Sequence, residues 1–514
     1  MEYAKEPKFA ARRLHSSALP RRMFFGVCLA ALGAGWVFRR GSADPALLET
    51  AQPSGGSPQK VDSRVELEAS DPRLVEGFRW AKNQALAYVF TGDPVGPWYE
   101  AALPGRQAFC MRDTAHQSNG AQILGLAAFN ENMLRRFAEY ISASRDWCSY
   151  WEINKNNVAA PVDYVNDHDF WYNLPANFDV LDACYRQFLW TGNQAYLDSV
   201  FMNFYTRTVK DYVKKWDING DGLLEHLSQY GNRGIASYDE QHIPQMMVGG
   251  DLVAAQYAAY RDYARICILV NDKAHAEQFL AKAEHLKSVY NTSWWNESKD
   301  EFYGAIGNDG KFEAGIDNIL FSLYCQIVED GRKTERAVAT LMHQLPADNN
   351  SVGGVEDRSY VPEILYRYGR SAVAYRALLG LVNPTLKRRE YPEVSFAAIG
   401  ACAAGLMGIT PDSPSKTVGT FPQLSTAEWV RLKRVPVFAN EISVRHVGAL
   451  SSAFTNESGP PILWRASLPG RFEKLNLDGK QVAAKTGKRL GGTAETWVLA
   501  EVRSGQKRTV ALTS

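Results

Sequence analysis

The chain has 514 residues, 46% of them apolar, and 57 Lys and Arg nearly cancel 56 Asp and Glu to a formal net charge of +1. That length can bury a large core, while the balanced charge offers no basic field for nucleic acid and no acidic solvating tail. The phosphate-cradling patterns GxGxxG and GxxxxGK[ST] are both absent.

Met23 to Phe38 form an uncharged apolar run between Arg21-Arg22 and Arg39-Arg40. The run is short for a membrane span, which wants about 20 residues, and suits the apolar core of a signal peptide. Arg21-Arg22-Met23-Phe24-Phe25 resembles a twin-arginine export signal, and Gly41-Ser42-Ala43 supplies small residues for cleavage. Residues 1–43 are therefore expected to be a signal peptide of an exported protein, with an uncleaved membrane anchor as the alternative. The Pro/Gly/Ser-rich stretch that follows makes 44–70 a linker.

From Leu74 onward apolar residues recur at helical spacing, as in Leu74, Phe78, Ala81, Ala85 and Tyr88. Similar stripes near 115–128, 132–145, 177–191, 196–215, 249–270, 273–290, 315–330, 333–344, 361–369, 371–382 and 393–408 predict about twelve helices. Thr191-Gly192-Asn193 and Asp330-Gly331 mark turns between them. From about residue 431 strand-like segments such as Val435-Pro-Val-Phe and Thr496-Trp-Val-Leu alternate with turn-formers, predicting an antiparallel β domain over 431–514. No repeat of 30–45 residues is visible, which disfavours an open solenoid. The expected fold is mainly α, an (α/α)6 toroid over 71–430 followed by that small β domain.

Seven cysteines lie far apart with no CxxC pair, so zinc and thioredoxin-type chemistry find no support. The six beyond the leader are either paired or buried thiols.

Four stretches carry chemistry. Phe109-Cys-Met-Arg-Asp-Thr-Ala-His opens a helix and projects Arg112, Asp113 and His116 together, donors and acceptors suited to sugar hydroxyls. Nearby Trp171 and Tyr172 offer flat rings for sugar stacking. Asp217-Ile-Asn219-Gly-Asp221-Gly222-Leu-Leu-Glu225 has the alternating oxygens of a calcium loop, with Gly222 allowing the sharp turn. Ser228 stands at the twelfth position, so this is no regular EF-hand, and Glu225 would close the cage. The competing reading is a metal-free turn; no cofactor is needed for the reaction in either case. Tyr238-Asp239-Glu240 places adjacent acids on a loop, where Tyr238 can raise a carboxyl's pKa and grip substrate, suiting Asp239 or Glu240 for acid catalysis. Glu390-Tyr391-Pro-Glu393-Val-Ser-Phe396 supplies a second pair of acids beside Tyr391, ahead of the last inner helix. Glu356, Asp357 and Glu363 form a further acidic loop with catalytic potential; the preferred reading makes Asp357 and Arg358 supports and Glu363 a first-turn helix charge.

The order DxNGDGLxE, short loop, YD and GG-helix resembles glycoside hydrolase family 116, in which the acid is the Asp of YD, matching Asp239. The DxNxD loop resembles the calcium loop of some family 63 enzymes. The Glu ahead of an "SF" helix running into Gly408-Ile-Thr-Pro-Asp resembles family 78 α-L-rhamnosidases, whose base matches Glu393 or Glu390, with Glu393 preferred. The resemblance covers roughly residues 74 to 480. Two departures stand out: Leu174 to Asp182 contains Asp179 and Asp182 where family 116 has a nucleophilic Glu, and the W-E-R-W of rhamnosidases is missing from 388–396. The implied activity is hydrolysis of an oligosaccharide by inversion, with Asp239 as acid and Glu393 or Glu390 as base about 6.5–9.5 Å away. A polysaccharide lyase and a non-catalytic carbohydrate-binding protein are the alternatives. Carbohydrate is the expected partner, nucleic acid is not, and membrane contact runs only through an uncleaved N-terminal segment.

Overall fold

The computed structural model describes residues 61–239, 246–314, 319–345, 354–424 and 427–512. The expected signal peptide, the start of the linker and Glu240 lie outside them. The chain divides into the units Met1–Thr50 and Ala51–Ser514, and every described residue belongs to the second. Among the described residues no helix is long and apolar enough to cross a membrane.

The helices follow the sequence periodicity closely. Helix α1 (Pro72–Ala87) starts where Asp71 accepts a hydrogen bond from the Arg73 amide and Pro72 fills the first turn. It buries Leu74, Phe78, Ala81 and Ala85 on one face. The stripes expected at 115–128 and 132–145 are the helices α2 (Met111–Ile123) and α3 (Ala127–Glu139), each starting a few residues earlier and joined by a tight turn. Next come α4 (Ala176–Thr191) and α5 (Ser199–Arg207), the latter continued by a π-helical turn at Thr208–Tyr212 into α6 (Val213–Trp216). Then follow α7 (Gly250–Leu269), α8 (Lys273–Ser293), α9 (Ile319–Cys325) and α10 (Arg332–His343). The set ends with α11 (Val355–Arg367), α12 (Ser371–Leu381) and α13 (Pro392–Gly400).

Helix α11 begins six residues earlier than the expected start at 361, and this corrects one assignment. Glu356 and Asp357 occupy its first turn, whereas Glu363 lies well inside it, paired with Arg367 at 2.6 Å.

Alternate helices make a closed circuit. Helix α2 packs on α4, α4 on α7, α7 on α9, α9 on α11, α11 on α13, and α13 back on α2. The remaining helices pack against these, α8 against α7 and α12 against α11 for example. The last contact is the tightest: a Cβ on Gly120 of α2 would lie 2.0 Å from the carbonyl oxygen of Phe396 in α13. Only a residue without a side chain lets these two helix backbones approach so closely.

The C-terminal region forms a seven-stranded sheet and a five-stranded sheet. Burial alternates along Trp429–Val437, with Val430, Leu432, Val435 and Val437 inside. The Phe454 ring stacks on that of Trp464, 5.4 Å between centres, joining the two sheets through one core. The end of the expected linker is itself structured: Glu66–Ala69 is a strand paired antiparallel with residues 430–433. Cys110, Cys148, Cys184, Cys267, Cys325 and Cys402 are buried free thiols.

Candidate active site

Helix α2 is fastened at its start. The strand Ala108–Cys110 pairs with Glu152–Asn154, and the Met111 amide donates to the Trp151 carbonyl at 3.0 Å. From this first turn Arg112, Asp113 and His116 project, with Asp113 and His116 buried and the Arg112 side chain 17% exposed. Arg112 Nε donates to Asp113 Oδ1 at 3.2 Å.

Glu393 sits in the first turn of α13 and is fully buried. Its Oε1 lies 2.8 Å from His116 Nδ1, whereas Oε2 has no hydrogen-bond partner among the described residues. The Gly120–Phe396 contact lies one turn beyond both residues and sets their spacing. Burial pushes the Glu393 carboxyl well above the usual carboxylate range, with Asp113 adding repulsion and Arg112 opposing it. Burial holds His116 well below the ordinary imidazole range, helped by Arg186 and Arg112. The neutral imidazole and Glu393 thus share a short hydrogen bond. The other face of His116 stacks on Tyr360, 3.5 Å between ring centres and 8° from parallel.

The loop bearing Tyr238 and Asp239 is held from α7. Asp251 Oδ2 accepts from the Ser237 hydroxyl at 2.9 Å and from the Tyr238 amide at 2.7 Å. The Asp239 amide donates to Ser237 Oγ at 2.9 Å, and the residue is partly exposed. Tyr238 bridges this loop to the α2 turn: the Arg112 guanidinium lies 5.1 Å from its ring centre. The Tyr238 hydroxyl donates to Asp179 Oδ2 at 2.5 Å. Burial raises the Asp179 carboxyl to about 7, against the lowering effect of that bond. Trp151, Tyr238, Phe321, Tyr360 and His116 then form a continuous run of ring contacts, with Trp151 and Phe321 only half-buried.

Arg112, Asp113, His116, Tyr238 and Glu393 thus share one neighbourhood, with Asp239 next to Tyr238 on its loop, while other expected site residues stand apart. Glu390 is exposed; among the described residues its backbone carbonyl is engaged by Gln84 and the Tyr88 hydroxyl. Tyr172 cannot be a stacking platform, because it is fully buried and its hydroxyl donates to Asn177 Oδ1 at 2.6 Å. Tyr391 is likewise buried, packed with Val355, Leu381, Leu386 and Val394. Trp171 is half-buried, its indole nitrogen donating to Asn173 Oδ1 at 2.9 Å. Residues without an assigned role join the site instead: Asp179, Trp151, Phe321 and Tyr360. Of these only Asp179 carried a signal, as an acid in the place of a nucleophile.

In the 217–225 loop, carboxylate oxygens of Asp217, Asp221 and Glu225 come within 4.8 Å of one another. Asp217 Oδ1 and Glu225 Oε1 are buried without a hydrogen-bond partner among the described residues. Asn219 turns inward on the loop, its Oδ1 accepting from the Asp221 amide at 2.8 Å. Burial raises Glu225 to about 7, with Asp221 and Asp217 adding repulsion. This donor set of crowded, unsatisfied hard oxygens fits a divalent cation.

The circuit of helices and the β domain give the chain the general fold of the six-hairpin glycosidases. Residues 180–388 match the family described as the bacterial alpha-L-rhamnosidase 6 hairpin glycosidase domain. Among solved structures, the alpha-L-rhamnosidase of Dictyoglomus thermophilum is similar with a TM-score of 0.57 and 13% identity, over 88% of this chain and 51% of that one. The GH78 family rhamnosidase of Bacillus sp. GL1 gives 0.56 and 16%, over 77% and 41%. The alpha-L-rhamnosidase of Streptomyces avermitilis, solved with L-rhamnose, gives 0.56 and 15%, over 87% and 42%. This chain therefore spans about half the length of the structures it resembles. No curated protein sequence matches it. The family match includes Asp239 and the 217–225 loop but stops short of Glu390 and Glu393.

Proposed function

We propose that this protein is a glycoside hydrolase that cleaves O-glycosidic bonds by inversion, with α-L-rhamnosides as the first substrate class. One observation carries the reading: Glu393 is a buried carboxyl with one oxygen anchored on His116 and the other unpartnered. Such a group, once ionised, is a stronger base than a solvated glutamate and has one lone-pair face reserved for a water. Asp239, more exposed and on a loop fixed by Asp251, acts as the acid that protonates the leaving oxygen. Arg112 and Asp113 grip hydroxyls, and the Trp151–Phe321 wall receives the sugar's C–H face. The closed contact circuit of α2, α4, α7, α9, α11 and α13 supports an (α/α)6 toroid with these groups at one rim.

The test is turnover of p-nitrophenyl α-L-rhamnoside within a panel of aryl glycosides, followed by NMR of the first anomer released. An inverted product supports the roles given to Asp239 and Glu393. A retained product favours a second reading, with Asp179 as nucleophile beside Tyr238, a position to which its 2.5 Å hydrogen bond points. Unsaturated products would identify a lyase, and binding without turnover a carbohydrate-binding protein.

The 217–225 loop is proposed to hold a structural calcium through Asp217, Asp221 and Glu225, with Asn219 shaping the turn. The arginine-flanked leader supports export to the periplasm or beyond, with an uncleaved anchor as alternative; cell fractionation and N-terminal sequencing of the mature protein decide between them.

A further inference from the structure

The outer face of the seven-stranded sheet carries an open depression of about 280 Å³. It is lined by Trp429, Arg431, Ser443, Arg445, Thr455 and Lys507, with Glu68 at its rim. Register builds this patch. Arg431 and Arg445 are direct partners across neighbouring antiparallel strands, and Ser443, Thr455 and Lys507 lie in line across three. Like charges directly opposite each other weaken a sheet, so such a pair needs a reason. Elsewhere on the same sheet basic residues are neutralised locally: Lys433 by Glu66 and Glu68, Arg434 by Glu66, Arg508 by Asp478. Within the depression that closure is missing. Arg431 reaches Glu68 only at 3.9 Å, and among the described residues neither Arg445 nor Lys507 makes an ion pair.

The apolar component lies beside the charge. The Arg445 guanidinium is 5.4 Å from the centre of the half-buried Trp429 ring. Ala453, the register partner of Arg445, is too small to cover the floor. Guanidinium groups bind carboxylates through paired hydrogen bonds, an indole face suits the C–H face of a pyranose, and Thr455 brings a hydroxyl beside Lys507. We propose that this face is a second, non-catalytic binding site for an acidic polysaccharide whose sugars carry carboxylates. A nucleic-acid strand fits less well, because it wants a longer track of cations than Arg431, Arg445 and Lys507 provide. The choice of a glycan as the polyanion rests on the glycosidase reading, but the site is remote in sequence from the catalytic groups.

Titration calorimetry of the full chain with hexagalacturonate at about 50 mM salt tests this, with its methyl ester and oligo(dT) as comparison ligands. Hexagalacturonate should bind, weaken with added salt, and lose at least about tenfold in affinity in the Arg431→Ala/Arg445→Ala double variant. Lys507→Ala, at an exposed position, should show a smaller loss, which guards against a folding defect in the double variant. Turnover of an aryl rhamnoside should be unchanged in the double variant. Equal binding of the methyl ester, tighter binding of oligo(dT), full affinity in the double variant, or no binding of hexagalacturonate would each overturn the proposal. Binding without any turnover would sink the glycosidase reading and leave this site standing.

Discussion

Gly120 of α2 meets the backbone carbonyl of Phe396 in α13 so closely that a Cβ there would lie 2.0 Å from the oxygen. His116 and Glu393, one turn earlier on the same two helices, form their 2.8 Å hydrogen bond because of that approach. Gly120→Ala forces the helices apart, at a cost of about 1–3 kcal/mol as for other overpacked cores. Urea unfolding should report that loss, and turnover should fall by more than the unfolded fraction explains.

Glu393→Gln keeps shape and hydrogen-bonding capacity but removes the base, so kcat should fall by about 10²–10⁴-fold with folding intact. Glu390→Gln, at an exposed position, should stay within about twofold of the parent. Equal losses in both variants would remove the distinction drawn between them. Because burial raises the Glu393 carboxyl, the acidic limb of the kcat profile should lie above the usual carboxylate range.

Glu152 predicts how stability changes with pH. Burial, with repulsion from Asp163, pushes it up to about 8 despite Arg106 at 2.7 Å. An unfolded glutamate loses its proton near about 4.3. Between these values the folded chain binds more protons at this group than the unfolded one, so the contribution of Glu152 to stability is complete below about 4.3 and falls as pH rises toward about 8. Glu152→Gln should flatten that fall in melting temperatures measured across the window; a parallel curve would rule the assignment out.

Asp71 works in the opposite direction. It accepts from the Arg73 amide and guanidinium and from the Tyr375 hydroxyl at 2.8 Å, and Arg73 chiefly holds it down at about 2. Its contribution is present above about 3.9 and disappears as pH falls toward about 2. Asp71→Ala should cost about 1–2 kcal/mol in neutral urea titrations, as for other lost helix caps.

Calcium should raise the melting temperature of chelator-treated protein, by about 2.7 kcal/mol of stability at a hundredfold excess over Kd. Glu225→Gln should remove the response. A melting curve indifferent to calcium and EGTA would return the loop to a metal-free turn.

Much of the helical architecture was legible because a single signal, apolar residues at helical spacing, governs both local structure and burial. Helix α11 was misplaced at its start because Pro362 reads as a first-turn residue, yet it lies inside the helix. At the site, Arg112, Asp113 and His116 could be grouped because one helical turn joins them. Tyr172 and Tyr391 could not be placed, since an aromatic residue has the same identity in a core as in a sugar-stacking wall. Phe321 and Tyr360 meet Tyr238 and His116 only through tertiary contacts, for which a linear pattern carries no mark.

The strand Glu66–Ala69 has a bearing on how the molecule is made. Its pairing brings Glu66 to Lys433, 367 positions further along the chain. Closing so long a loop is slow relative to forming neighbouring helices. During synthesis this segment must wait, with open hydrogen-bonding groups, until residues 430–433 have emerged. A premature stop ahead of residue 429 would thus leave residues 66–69 a sticky ribbon, and such fragments should aggregate or be degraded rather than persist as smaller folded products.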